Sequence, residues 1–345
     1  MQSLSATLSG VKLPARHARA NPAARAVQYI GLRCPVCTTD LTAIAYHVLG
    51  QVHEPIECRA CLAIMIQQQG IWLALPPERE RYFAYFLRDY ERIRKAEGRG
   101  SDDPEFYLSL PYRDHTERNS WQWQIRARTY QYIERKIVPA MTADSRRAWT
   151  VLDLGAGNGW LSYRLANQGH RPIAVDICKN TFDGLGAAIH YRAAVPMLFP
   201  RFQAELDRLP FRTGQFDCAI FNASFHYSEN YDLTLAEAVR CLRPGGTVVV
   251  ADSPFYSREE SGQRMVAERR RIFERRFGFA SENLASGEYL TKDRLLALAA
   301  RHNLVWTMHP VWYGLRWACR PLAAALSGKR EPSKFRIYIA QVKTP

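Results

Sequence analysis

The feature that constrains this chain most is the stretch Val151-Leu152-Asp153-Leu154-Gly155-Ala156-Gly157-Asn158-Gly159, an apolar strand running into a turn of alternating glycines. A helix-like segment leaves the turn at Trp160. Glycine is needed where the backbone takes positive φ and where a ligand must approach the main chain without meeting a side chain. The spacing is GxGxG, which differs from the GxGxxG of dinucleotide sites, and no lysine-serine pair of a phosphate-binding P-loop follows it. A glycine turn alone is weak evidence for a nucleotide-type ligand, so the neighbouring segments carry the decision.

From Trp149 onward strand-like and helix-like segments alternate: WTVLDL, a helix, RPIAVDI, a helix, FDCAIFN, a helix, and GTVVVAD. That alternation predicts right-handed crossovers and a mostly parallel sheet with helices on both faces. The second strand ends at Asp176, about twenty residues after the glycine turn, where a carboxylate can accept hydrogen bonds from both hydroxyls of a ribose. An acid capping the next helix is the plainer alternative. Further on come Glu205-Leu206-Asp207-Arg208-Leu209-Pro210-Phe211, then Phe216-Asp217, and then Leu242-Arg243-Pro244-Gly245-Gly246.

In order and spacing, residues 149–252 resemble the class I S-adenosylmethionine-dependent methyltransferases, in particular the broad type 11 subgroup with an LPF…FD segment and an LRPGG turn. The resemblance implies a Rossmann-like α/β fold of seven strands, mostly parallel, with an antiparallel last strand expected at residues 334–342. It also implies that Asp153, Gly155, Ala156, Gly157 and Gly159 form the loop holding the methionine and ribose parts of S-adenosylmethionine. Asp176, with Ile177 beside it, matches the ribose acid. Glu205, followed by Leu206, stands where the subgroup has an aspartate for the adenine amino group, and its side chain is one methylene longer. Asn222 is similar to the residue beside the sulfonium.

Methyl transfer from a sulfonium is an in-line displacement on an activated carbon, and a base is needed only when the acceptor must lose a proton. After the fourth strand the chain reads Asn222-Ala223-Ser224-Phe225-His226-Tyr227. His226 has two readings there, a general base or a wall of the pocket. The Asn-Pro-Pro-Tyr or Asp-Pro-Pro-Tyr pattern of enzymes that methylate exocyclic amines is replaced, which leaves oxygen, carbon or another nitrogen as acceptor atoms. Candidate roofs for the substrate are the aromatic helix of residues 121–130, the insertion at about residues 255–300, and Trp306, Trp312, Tyr313 and Trp317.

Upstream, Cys34-Pro35-Val36-Cys37 and Cys58-Arg59-Ala60-Cys61 supply four thiols in two CxxC turns, the pattern of a closed structural zinc site. Fewer than fifty residues bury too little core to stand alone, so metal would supply folding energy. His47 and His53 are expected to face solvent. The module is similar to the zinc ribbons of several methyltransferases, including a ribosomal RNA guanine family, though its second pair is CxxC where that family has Cys-to-His. The other cysteines, Cys178, Cys218, Cys241 and Cys319, read as small buried hydrophobes.

The expected organisation is a flexible tail at 1–28, a zinc-ribbon-like module at 29–75, a helical linker and cap at 76–145, and the catalytic domain at 146–345. Residues 1–39 hold Lys12, Arg16, Arg19, Arg25 and Arg33 and no acid before Asp40, which fits a disordered tail or a transit peptide. The formal charge of +14 is otherwise diffuse, as in the interleaved arginines and acids of residues 258–276. With 47 % hydrophobic residues and no apolar run of the roughly 20 residues that span a bilayer, a cytoplasmic location is expected. The favoured function is S-adenosylmethionine-dependent methylation of a small-molecule or lipid-linked acceptor. RNA methylation through the ribbon and the basic surface is the alternative, and a non-catalytic binding protein the third.

Overall fold

The computed structural model describes residues 28–51, 53–139, 148–278 and 284–343, so the expected N-terminal tail lies outside the described residues except for Gln28. The strands are β1 (Tyr29–Arg33), β2 (Asp40–Ala45), β3 (Ile56–Glu57), β4 (Ile64–Gln68), β5 (Ile71–Leu73), β6 (Thr150–Leu154) and β7 (Arg171–Asp176). They continue with β8 (Arg201–Gln203), β9 (Phe216–Asn222), β10 (Leu242–Ala251), β11 (Phe255–Tyr256), β12 (Leu290–Thr291), β13 (Thr307–His309) and β14 (Ile337–Gln341).

The main sheet runs β13-β14-β10-β9-β6-β7-β8-β5-β4-β3. Its first seven members are the expected sheet. Strands β6 to β10 are parallel, and β14 lies antiparallel to β10 with Val248 opposite Ala340. The central strands are apolar nearly throughout because both faces are covered. Alternate residues enter two separate cores: Leu152, Leu154, Phe221 and Val250 on one side, Val151, Ile220, Val249 and Ala251 on the other. The LRPGG segment proves to be a bulge inside β10, since the register with β9 shifts between Leu242 and Thr247.

The three extra strands come from the cysteine module. β5 pairs in parallel with β8, Trp72 opposite Phe202, and β4 and β3 extend the edge. Trp72 is wholly buried, lies near-parallel to the Phe202 ring at 6.1 Å, and donates its indole N–H to Leu49 O at 3.0 Å. On the other side of the module Leu32 bridges Phe211, and Ile30, Leu32 and Trp72 share a core with Leu152 and Val175. The expected division at residue 75 is therefore crossed by a continuous sheet.

Helix Pro77–Ala96 follows β5, with Pro at its first turn and Glu78 and Glu80 at its positive end. Helix Ser120–Tyr132 continues into a single π-helical turn, Ile133–Ile137. The inserted segment is the charged helix Glu259–Phe277, placed between β11 and β12. Among the described residues no helix is long and apolar enough to cross a membrane.

Candidate active site

The glycine loop sits where β6 ends. The amides of Gly155 and Ala156 both donate to Val175 O, at 2.8 and 3.0 Å, which folds the loop back over β7. Gly155 has φ of +75°, and a Cβ there would stand 2.3 Å from Ser224 Cβ, so the fold itself demands glycine. Gly157 differs. Its φ is +55°, but a Cβ would meet only Asp183 O at 3.5 Å, leaving its open side to the cavity.

That cavity lies along the carboxyl edge of the sheet. It is lined by Asp153 and residues 155–158, by Asp176 and Ile177, by Glu205 and Leu206, and by Asn222. Sequence-predicted residues from four strands thus converge on one space. Gly159 does not line it; its positive φ starts the helix Trp160–Asn167 against Phe199.

Three acids have distinct settings. Asp153 is buried, and its Oδ2 accepts from Ser162 N at 3.1 Å and Ser162 Oγ at 2.7 Å, while burial pushes its carboxyl up to about 7. Asp176 accepts backbone N–H groups on both oxygens, from Gly157 and from Cys178, each at 2.8 Å. Burial raises its pKa against those two hydrogen bonds. Each oxygen keeps a lone pair for a further donor. Glu205 is paired with Arg79 through Oε2, and burial raises its pKa despite that partner.

The cover over this edge comes from two helices. Trp123 and Arg126 of helix Ser120–Tyr132 line the cavity, as expected of an aromatic roof. Phe83, Phe86, Leu87, Tyr90 and Arg94 of helix Pro77–Ala96 line it too, and sequence reasoning gave that helix no site. The signal was present as aromatics at helical spacing, but spacing does not name what a face packs against. Of the other expected roofs, Leu284 of the insertion contributes, whereas Trp306, Trp312, Tyr313 and Trp317 lie elsewhere.

The two cations differ. Arg94 is paired with Asp183. Arg126 lies over the Trp123 ring at 4.8 Å and has no carboxylate within ion-pair distance among the described residues. Its pKa is pushed down to about 10, first by burial and then by Arg99 and Arg94.

His226 is buried behind the cavity and is not among the residues lining it; Tyr227 and Ser228 are. The tight 3₁₀ turn Phe225–Tyr227 sends successive side chains in different directions, so a one-residue offset decides which reaches the space. The His226 ring meets Ser253 Oγ at 3.2 Å, and its pKa is pushed down to about 3, first by burial and then by Arg269 and Arg126.

The four cysteine sulfurs form one group, all within 4.8 Å of one another, with Cys34–Cys61 and Cys37–Cys58 each at 3.5 Å. Tetrahedral Zn–S bonds of about 2.3 Å put sulfurs about 3.8 Å apart, so the set fits zinc. The two turns repeat one geometry. Cys34 N binds Thr39 O and Thr38 N binds Cys34 O; Cys58 N binds Ala63 O and Leu62 N binds Cys58 O. Thr38 and Leu62 share positive φ. His47 is exposed, and His53 tilts against Trp72 rather than joining the sulfurs. Cys319, expected to be buried, is exposed; the other three scattered cysteines are buried.

Strand order, the glycine loop and the acids at the strand ends are similar to the arrangement of the class I, S-adenosylmethionine-dependent methyltransferases. The family comparison agrees: residues 152–250 match the methyltransferase domain family. Among curated proteins, the chain is 28 % identical over 123 residues to a malonyl-[acyl-carrier protein] O-methyltransferase of Hamiltonella defensa, covering 36 % of this chain and 45 % of that protein. It is 28 % identical over 110 residues to a ubiquinone/menaquinone biosynthesis C-methyltransferase of Brucella anthropi, covering 31 % and 42 %. The chain thus spans about half or less of the length of these relatives. Among solved structures, the YcgJ protein of Bacillus subtilis aligns over 64 % of this chain and 99 % of its own, with TM-score 0.45 and 16 % identity.

Proposed function

We propose that this protein transfers the methyl group of S-adenosylmethionine to a small-molecule acceptor or to one carried on a lipid or carrier protein. The observation that carries this reading is the convergence of the glycine loop, Asp176 and Glu205 on one cavity. When bound, the cofactor would supply an electrophilic methyl carbon on a sulfonium. The residues present suit it. Bare backbone at Gly157 leaves room for the amino-acid part, and Arg126, with no carboxylate partner among the described residues, offers its guanidinium to one. Asp176 has lone pairs for ribose hydroxyls, and Glu205 keeps Oε1 as an acceptor for an amino group.

Residues of helices Pro77–Ala96 and Ser120–Tyr132 would exclude water and orient the acceptor. The relatives' names give an O-methyltransferase of malonyl-[acyl-carrier protein] and a C-methyltransferase of ubiquinone/menaquinone biosynthesis, two very different acceptors. Zinc in the four-cysteine site would brace β3, β4 and β5, and that fusion with the sheet favours bracing over RNA contact as the role of the module.

The test is isothermal titration with S-adenosylhomocysteine on the wild type and Asp176→Ala, without nucleic acid. Binding that weakens in the variant supports the reading; equal affinity in both refutes it.

A further inference from the structure

Residues 312–336 carry six arginines and lysines and one acid, Glu331. They include two short helices, Leu315–Ala318 and Arg320–Leu326, and no residue of either is buried. Leu315, Leu322 and Leu326 are 74, 64 and 81 % exposed, and Trp312 is 66 % exposed. Single exposed apolar residues need no explanation, but four of them within fifteen residues of chain do.

The charges of this segment are uneven in their pairing. Arg330 is bound to Glu268, and Lys334 to Glu331. Arg316 lies over the Trp121 ring at 4.6 Å, and Arg320 over Trp317 at 3.1 Å, with one hydrogen bond from Arg320 to Ser333 O at 2.6 Å. Among the described residues, Arg316, Arg320, Lys329 and Arg336 have no carboxylate within ion-pair distance. A shallow groove beside the second helix carries Arg320 and Arg336 together with Trp317 and Phe335.

We propose that this segment docks on the surface of an anionic lipid bilayer. The three leucines and Trp312 would enter the headgroup region, and the four cations with no carboxylate partner among the described residues would meet lipid phosphates. Exposed leucines interspersed with cations that lack a carboxylate partner favour an anionic bilayer over a protein, because aliphatic side chains need no matching groove in a soft interface and the cations complement lipid phosphates. Tryptophan and long cationic side chains are suited to that depth, one by its amphipathic ring and the other by an apolar stem under a charged head. The inference is independent of the methyl-transfer reading and would place the enzyme beside lipid-borne acceptors.

The experiment is co-sedimentation of the full-length protein with vesicles of phosphatidylcholine alone and of phosphatidylcholine with phosphatidylglycerol. The wild type is expected to pellet with the anionic vesicles only, and less so as salt rises. Lys329→Ala with Arg336→Ala should weaken binding about 25-fold, taking about fivefold for each cation near an anionic surface. Leu322→Ser with Leu326→Ser should release the protein as well. Both double variants should keep the wild-type melting temperature and affinity for S-adenosylhomocysteine, which separates lipid binding from folding and from the cofactor site. Wild type that stays in the supernatant with anionic vesicles at low salt overturns the proposal. So does vesicle binding that neither variant changes. Leucine substitutions that only convert a dimer to a monomer, or that only abolish capture of an acidic carrier protein, would likewise assign the surface to a protein partner instead.

Discussion

Arg79 holds a single carboxylate oxygen of Glu205 between Nε at 2.8 Å and Nη2 at 2.7 Å, latching helix Pro77–Ala96 to the segment that follows β8. The pair joins the cover of the cavity to its floor. Arg79→Ala would leave a nearly buried carboxylate without its partner. It should lower unfolding stability by about 1.5–3 kcal/mol, the range for hydrogen bonds to charged groups, read from the midpoint of urea denaturation. Glu205→Gln keeps an acceptor for Arg79 and should cost less. An Arg79→Ala midpoint equal to the wild type would show that the latch carries no load.

The two glycines should separate folding from binding. Gly155→Ala places a methyl group 2.3 Å from Ser224 Cβ at positive φ, so the fold must give way. A loss of about 1–3 kcal/mol in stability is expected. Gly157→Ala has room within the protein, and costs about 1 kcal/mol for its φ. Its methyl group, however, occupies the cavity, so S-adenosylhomocysteine affinity should fall by tenfold or more, a penalty of about 1.4 kcal/mol. Thermal melting and titration of both variants check this, and equal binding losses would contradict the contrast.

Asp153 sets a pH dependence of unusual sign. Its carboxyl is raised to about 7 by burial, against an ordinary value near 3.8. The native state therefore holds the proton more tightly than the unfolded chain does. The resulting stability is full below pH 4 and is lost as pH rises through 7, by on the order of 4 kcal/mol. Asp153→Asn keeps an oxygen to accept from Ser162 and should remove this slope. Denaturation at pH 5 and pH 8 should show the variant gaining on the wild type at the higher pH. A constant difference between the two proteins across that window would rule the shift out.

Zinc removal should be felt across the whole sheet. Because β5 pairs with β8, release of metal by Cys58→Ser is expected to lower one cooperative melting transition rather than to melt a separate module. Calorimetry with metal analysis reads both. Two independent transitions, or wild-type protein purified without zinc, would contradict this view.

Much of the cavity's lining along the strand ends was legible in the sequence, because local geometry dictates it. Positive φ at 155 and 157, an acid at a strand end at 176, and paired CxxC turns are conditions satisfied within a few residues, so residue type and spacing reveal them. The parallel sheet followed from alternating strand and helix patterns, and its antiparallel β14 from what the family resemblance implied for residues 334–342. What the tertiary structure alone decided is long-range. That Trp72 would pair beside Phe202, that Phe83, Phe86 and Tyr90 of helix Pro77–Ala96 would line the cavity, and that Tyr227 rather than His226 would reach it depend on packing between segments far apart in the chain. Periodicity tells which face of an element is apolar, and burial against a particular partner is settled only when the whole core closes.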